Sequence, residues 1–211
     1  MSTPYSSSRV AAIILAAGKS TRMGEAKQLL RLGEGTVLGR TIENVRRSAE
    51  VDEIVLVLGA SAEAIRRQLP ASLLEGLKVV VNPAYEQGMA SSLRAGLSAL
   101  DPQTGAALIV LADQPLVRPE TLDQLAHQYR RTPAPIVIPS YKGVRGNPVL
   151  LDRSVFAEVM ALEGDTGCRA IFGNHPETVK LEVEDEGILL DIDNQEDYER
   201  LRAGAPPHTG E

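Results

Sequence analysis

The chain has no tryptophan, two phenylalanines and five tyrosines in 211 residues, so its core must be built from Val, Ile, Leu and Ala. Its single cysteine, Cys168, excludes an intrachain disulfide and suits a reducing compartment. Basic charge is not in surplus: 22 Lys and Arg face 28 Asp and Glu, for a net charge of −6. That argues against nucleic acid as a partner, which would call for clustered cations. An anionic ligand must then be held by a few placed cations and a metal, not by the overall field. No apolar stretch approaches the roughly 18 residues of a membrane span, so a membrane is not an expected partner either. Arg9 followed by VAAIILAA imitates a short secretion signal, yet β-branched residues leading into a glycine loop fit a buried first strand better. The expected location is cytoplasmic. Three scattered histidines offer no Ser/His/Asp constellation and no zinc spacing.

What the chain does have is alternation. VAAIIL, EIVLVLG, LKVVVN and ALIVLAD are continuous apolar runs of strand length, the pattern of strands buried on both faces. Between them lie amphipathic helical patterns, such as TVLGRTIENVRRSA, where Val37, Leu38, Ile42 and Val45 share one face. Pro119 and Glu120 mark a helix start, and Asn194 with Asp197 three residues on forms a capping-box-like arrangement. Such an order gives a mostly parallel sheet covered by helices, with ligands bound beyond the carboxyl ends of the strands. From about Pro135 the pattern loosens into PIVIPSY, NPVLL, TVKLEVE and ILLDID, read as further strands of the same sheet. The polar ends, residues 1–9 and 203–211, are expected to fray, leaving one domain over residues 10–202.

The first glycine loop, LAAGKSTRMGEAK over residues 15–27, matches neither the Walker A nor the dinucleotide fingerprint. Its ingredients are still those of a phosphate cradle. Ala16, Ala17 and Gly18 would let backbone N–H groups approach oxygens closely, while Arg22 offers a fork of donors and Lys27 a mobile charge. Asp113 ends the run ALIVLAD, and Asp191 and Asp193 flank Ile192 where ILLDID stops. Either could join Asp113 around Mg²⁺, which takes few carboxylates plus substrate phosphate oxygens; Asp193 also competes for a helix cap. Ser91 and Ser92 are candidates for a base, ribose or phosphate contact, or for capping the helix that carries Leu93 and Leu97. In GVRGNP the glycines suggest a turn and Arg145 an anion contact, the alternative being a hairpin with an exposed arginine. GDTGCR leads into RAIF and could present an anion to a helix start. Cys168 reads as a packed residue, His175 as a turn residue, and Arg130-Arg131 as a solvated helix end.

In order along the chain, LAAGKSTRMGEAKQLL, NPAYEQGMASSLRAGL, LADQPLV, RGNPVLL, GDTGCR and DIDNQEDY resemble the MobA-like nucleotidyltransferases. Within that family they are most similar to the branch of molybdenum cofactor cytidylyltransferases, over about residues 10–201. The resemblance implies a Rossmann-like three-layer αβα sandwich of the nucleotide-diphospho-sugar transferase type. It implies nucleotidyl transfer from CTP to the phosphate of molybdopterin or the molybdenum cofactor, with Mg²⁺ required and a recipient molybdoenzyme or its chaperone as a further partner. It assigns Arg22, Lys27 and Asp113 to catalysis, and Asp113 and Asp193 to the metal. Leu15, Ala16, Ala17, Gly18, Asn82, Gly88, Ser91 and Ser92 would line the nucleotide, in the N-terminal half. Gln114, Arg145, Asn147, Asp165 and Arg169 would line the acceptor, in the C-terminal half. The guanylyl-transferring relatives carry Leu-Ala-Gly-Gly where this chain has Leu15-Ala16-Ala17-Gly18, and together with Pro115-Leu116 after Asp113 this resembles the cytidine-using branch. The alternatives are guanylyl or sugar-1-phosphate transfer, or a chaperone that delivers the cofactor without chemistry.

Overall fold

The computed structural model describes residues 8–18, 26–132 and 134–203. Its elements run, in chain order, β1 (Arg9–Ala16), β2 (Arg31–Leu32), β3 (Gly35–Thr36), α1 (Val37–Arg47), β4 (Glu53–Leu58), α2 (Ala62–Gln68), α3 (Ala71–Leu74) and β5 (Lys78–Val81). Then follow α4 (Met89–Ser98), β6 (Thr104–Leu111), α5 (Pro119–Arg131), β7 (Ile136–Tyr141), β8 (Val144–Arg145), β9 (Val149–Asp152), α6 (Phe156–Met160), β10 (Val179–Glu182) and α7 (Gln195–Ala203).

The main sheet is ordered β10-β7-β9-β6-β1-β4-β5, with β8 paired to β7. Strands β5, β4, β1 and β6 are mutually parallel, whereas β9 runs antiparallel to both β6 and β7. The chain moves outward from β1 to β4 and β5, then crosses back to place β6 on the other side of β1. That reversal opens a crevice at the carboxyl ends of β1 and β6, where doubly wound sheets bind ligands.

Alternation along β1 explains the layers. Val10, Ala12, Ile14 and Ala16 join one apolar cluster with Leu38, Ile42 and Val45 of α1, Ile65 of α2, and Leu122, Leu125 and Tyr129 of α5. Ile13 faces the opposite cluster, with Leu93 and Leu97 of α4, Phe156 and Val159 of α6, Cys168 and Ile171. Each fully buried aliphatic side chain contributes about 1.5–3 kcal/mol, so the centre of the sheet is its best anchored part. The three-layer αβα expectation holds.

Several local expectations need correction. Strand β5 is an edge strand, and Val81 is exposed, so LKVVVN is not buried on both faces. ILLDID is not a strand: Glu186–Leu189 form a 3-10 turn, and the chain from Leu190 to Asn194 has no regular pairing. Arg9 belongs to β1 and Ala203 to α7, so neither is part of a frayed end; residues 1–7 and 204–211 lie outside the described residues. Arg130 is not merely solvated, because its guanidinium pairs with Glu50 and lies 3.8 Å from Asp52. Asn194 and Asp197 do form reciprocal caps at α7. Among the described residues no helix is long and apolar enough to cross a membrane.

Candidate active site

The exit of β6 is fixed from three directions, and Asp113 is what it presents. Ala112 N–H donates to the Leu15 carbonyl of β1 at 3.2 Å. From α1, the Thr41 hydroxyl donates to the Ala112 carbonyl at 3.2 Å, and the Asn44 amide to the Pro115 and Val117 carbonyls at 3.0 and 2.9 Å. Ile192 N–H donates to the Asp113 carbonyl at 3.1 Å, bringing the segment before α7 against the same turn.

Lys27 opens a 3-10 turn, Lys27–Leu29, that Gln28 fastens to the end of β1. Gln28 is 2% exposed, and its Nε2 donates to the Ala16 and Gly18 carbonyls, each at 3.3 Å. Sequence reasoning passed over Gln28, although its place beside Lys27 was the available signal. So placed, the Lys27 ammonium lies 2.5 Å from Asp113 Oδ2, 3.2 Å from the Ile192 carbonyl and 3.7 Å from Asp193 Oδ1. One cation thus already reaches both carboxylates assigned to the metal. The donor set fits a divalent ion of the Mg²⁺ kind, which needs one or two carboxylates and takes its other oxygens from substrate and water.

Asp191 stands beside this group. Its carboxyl is pushed up to about 6, first by the loss of solvent around it and next by the Asp113 charge, against the lowering effect of the Gln114 amide. Among the described residues no group of three or more His, Cys, Asp and Glu side chains is arranged to hold a metal without substrate oxygens.

Two clefts open from this point. One, of about 500 Å³, is lined by Leu15, Ala17, Gly18, Lys27, Asp113 and Ser92, with Tyr85, Glu86, Gly88, Met89 and Asp165 opposite. The other, of about 470 Å³, is lined by apolar Leu93, Ile138 and Phe172 together with Arg145, Asn147 and Arg169. Met89 and Leu111 line both, so the clefts adjoin beside the end of β6.

The sequence-assigned residues distribute unevenly over these clefts. Arg22 lies outside the described residues. Asn82 and Ser91 are buried and bond each other at 2.8 Å, and Ser91 also donates to the Gly88 carbonyl, so this pair ties β5 to α4 and lines neither of these two clefts. Neither serine is the N-cap of α4; Gly88 is. Asp165 lines the first cleft and not the second, and its Oδ1 accepts from Met89 N–H at 3.2 Å. The GDTGCR loop is therefore the cap of α4, and Gly88 must be glycine-like there: at φ +92° an added Cβ would stand 2.4 Å from the Gly164 carbonyl group. RAIF lies in a 3-10 segment, Cys168–Asn174, not an α-helix. Gln114 is 2% exposed and lines neither cleft. Arg145 sits on the β7–β8 hairpin, whose turn Lys142-Gly143 has two positive φ angles, and the exposed arginine lines the second cleft. Cys168 is buried and its thiol is pushed up to about 12 by loss of solvent, which leaves it a packing residue.

Comparison with known proteins agrees with this geometry. The family model described as the MobA-like NTP transferase domain matches residues 12–179. The molybdenum cofactor cytidylyltransferase of Escherichia coli (strain K12) is 27% identical over 193 residues, spanning 90% of this chain and 94% of its own. The nicotine blue oxidoreductase of Paenarthrobacter nicotinovorans is 30% identical over 201 residues, spanning 91% and 96%. Rv0371c of Mycobacterium tuberculosis H37Rv is 34% identical with a TM-score of 0.82, covering 93% of this chain and 98% of that one. Its manganese complex gives 32% and 0.79 with the same coverage. The chain belongs to the MobA-like NTP transferase domain family, and it is by that membership a nucleotidyltransferase.

Proposed function

We propose that the protein transfers CMP from CTP to the terminal phosphate of molybdopterin, or of its molybdenum-loaded form, and releases pyrophosphate. The observation that carries this reading is the meeting of two unlike clefts at the end of β6. One holds a lysine–carboxylate group suited to a triphosphate with its metal. The other is apolar with two arginines, suited to a flat heterocycle that bears a phosphate. A phosphate monoester is already largely ionised at neutral pH, so the acceptor needs no strong general base. Such transfer depends on positioning and charge neutralisation more than on covalent help from the protein.

In this reading Lys27 turns from Asp113 to the α-phosphate and the leaving pyrophosphate, a task the family resemblance also assigns to Arg22. Asp113 and Asp193 would hold Mg²⁺ or a similar divalent ion, which would supply charge neutralisation for the phosphates. Gly18 and Ala17 let the nucleotide lie against the end of β1, and Arg145 and Arg169 hold the acceptor phosphate in line. The Escherichia coli relative's name supports cytidine and the molybdenum cofactor as substrates, and the manganese complex of Rv0371c supports a divalent metal. The Paenarthrobacter relative's name points to redox chemistry. The lysine–carboxylate group favours phosphate handling instead. The chain is then an enzyme of the cytoplasm, with a recipient molybdoenzyme or its chaperone downstream.

The test is to mix the purified protein with Mg²⁺, molybdopterin and each NTP in turn, and to follow pyrophosphate. Release with CTP is expected. Release with GTP alone overturns the cytidine assignment, and release with none favours a delivery chaperone.

A further inference from the structure

Gln114 is the residue the site geometry leaves without a ligand role, yet it is among the best buried polar groups in the chain. It directly follows Asp113. Its Nε2 donates to Asp191 Oδ1 at 2.5 Å and to the Ile188 carbonyl at 3.2 Å, while the Asp113 carbonyl one residue back accepts from Ile192 N–H. Two consecutive residues at the end of β6 are thus bonded to three residues of the 188–192 segment. Asp193 follows immediately. Ile192 is itself buried against Val37 and Tyr198, and Asn194 caps α7, so Asp193 is held from both sides. Backbone also closes on backbone here, since a Cβ at Gly187 would stand 2.4 Å from the Leu116 carbonyl oxygen.

We propose that Gln114 and Asp191 are a positioning pair that sets the separation of Asp113 and Asp193, with Asp191 acting through Gln114 and not as a metal ligand. The proposal rests on the reading that Asp113 and Asp193 share one cation. Two further observations support it. The Lys27 ammonium, already between the two carboxylates, meets Asp113, the Ile192 carbonyl and Asp193, whereas the nearest bond to Asp191 comes from Gln114. Second, Gln114 Oε1 is buried with no hydrogen-bond partner. A half-satisfied buried amide is a poor choice for stability alone, because an apolar residue of similar shape would leave no acceptor stranded. The Ile188 carbonyl does not depend on Gln114, since Asn147 N–H also donates to it at 3.0 Å.

The experiment measures Mn²⁺ affinity with CTP present, thermal midpoint, and the kcat and KM for CTP, in the wild type, Gln114→Leu, Asp191→Asn, Asp191→Ala and Asp193→Asn. Residues that orient metal ligands cost about 10–100-fold in metal affinity when replaced, and Gln114→Leu should lose that much with a fall in kcat. Its thermal midpoint should match or exceed the wild type. Asp191→Asn keeps an oxygen for the Gln114 amide and should bind Mn²⁺ nearly as well as the wild type, whereas Asp191→Ala should behave like Gln114→Leu. If Gln114→Leu fails to fold, the two Asp191 variants carry the comparison. Unchanged affinity in Gln114→Leu or in Asp191→Ala overturns the positioning role, as does a loss in Asp191→Asn equal to that in Asp193→Asn. A wild-type protein that binds no Mn²⁺ with CTP brings down the metal reading itself, and the positioning role with it.

Discussion

The two clefts differ in how their charges are kept. In the first, Lys27 is paired with Asp113 and approaches Asp193, so this cation is already engaged by internal partners. In the second, Arg145 and Arg169 are exposed, and among the described residues neither side chain makes an ion pair or a hydrogen bond. The first cleft must exchange an internal partner for its ligand, and the second can receive an anion as it stands. That difference suits a site in which a nucleotide and its metal enter together while a phosphate-bearing acceptor docks separately. It also gives each cleft its own signature under mutation.

The largest effect should come from the first cleft. Asp113→Ala should lower transfer about a thousandfold or more in a pyrophosphate assay, on the scale of losing a main charge-stabilising group, with the circular dichroism spectrum unchanged. Substantial residual metal-dependent transfer would remove Asp113 from the mechanism. Lys27→Met should lower transfer about a hundredfold by the same logic. It should also strengthen Mn²⁺ binding in the absence of nucleotide, about tenfold for the roughly 1.4 kcal/mol of one competing charge, as read by electron paramagnetic resonance. A variant that binds nucleotide-free Mn²⁺ no better than the wild type would show that the lysine does not compete with the metal.

Effects in the second cleft should be milder and confined to the acceptor. Arg169→Ala and Arg145→Ala should each raise the acceptor KM about tenfold, the worth of one charge-assisted hydrogen bond, and leave the KM for CTP unchanged. A rise in the KM for CTP instead would merge the two clefts into one. The smallest effect involves pH. His175 closes the 3-10 segment that carries Arg169, and its Nε2 lies 2.7 Å from Glu158, whose hydrogen bond raises the His175 pKa above 6.5. A raised histidine pKa gives a contribution that is complete below the unfolded value and is lost as pH rises through the folded one. The thermal midpoint should therefore fall slightly as pH rises into the alkaline range, and that fall should be smaller in Glu158→Gln. Glu158→Gln should bring the His175 titration down, as followed by NMR.

The same contrast decides what could be read from the sequence. The first cleft grows from strands β1 and β6, whose unbroken apolar runs announce burial, and from short-range turns at their ends, so Lys27 and Asp113 were legible. ILLDID misled because its apolar run is short and its fold is set at a distance. Asp185 accepts from Gly187 N–H and from Arg118 N–H and the Thr121 hydroxyl, which draws the segment into a 3-10 turn against α5. Asp165 is 76 residues from the Met89 amide it caps, and nothing local marks that bond. The antiparallel insertion of β9 between β6 and β7 likewise depends on pairing along the whole sheet and not on composition. Gln114 carried no sign of burial, since LADQPLV reads equally well as a loop facing solvent.

The most direct measurement is a single-turnover reaction of the protein with CTP, Mg²⁺ and molybdopterin, with the pterin product identified by mass spectrometry. The expected result is a pterin carrying CMP in diphosphate linkage, with one pyrophosphate released per pterin converted. An unmodified pterin, from a protein that binds both CTP and molybdopterin, would contradict it.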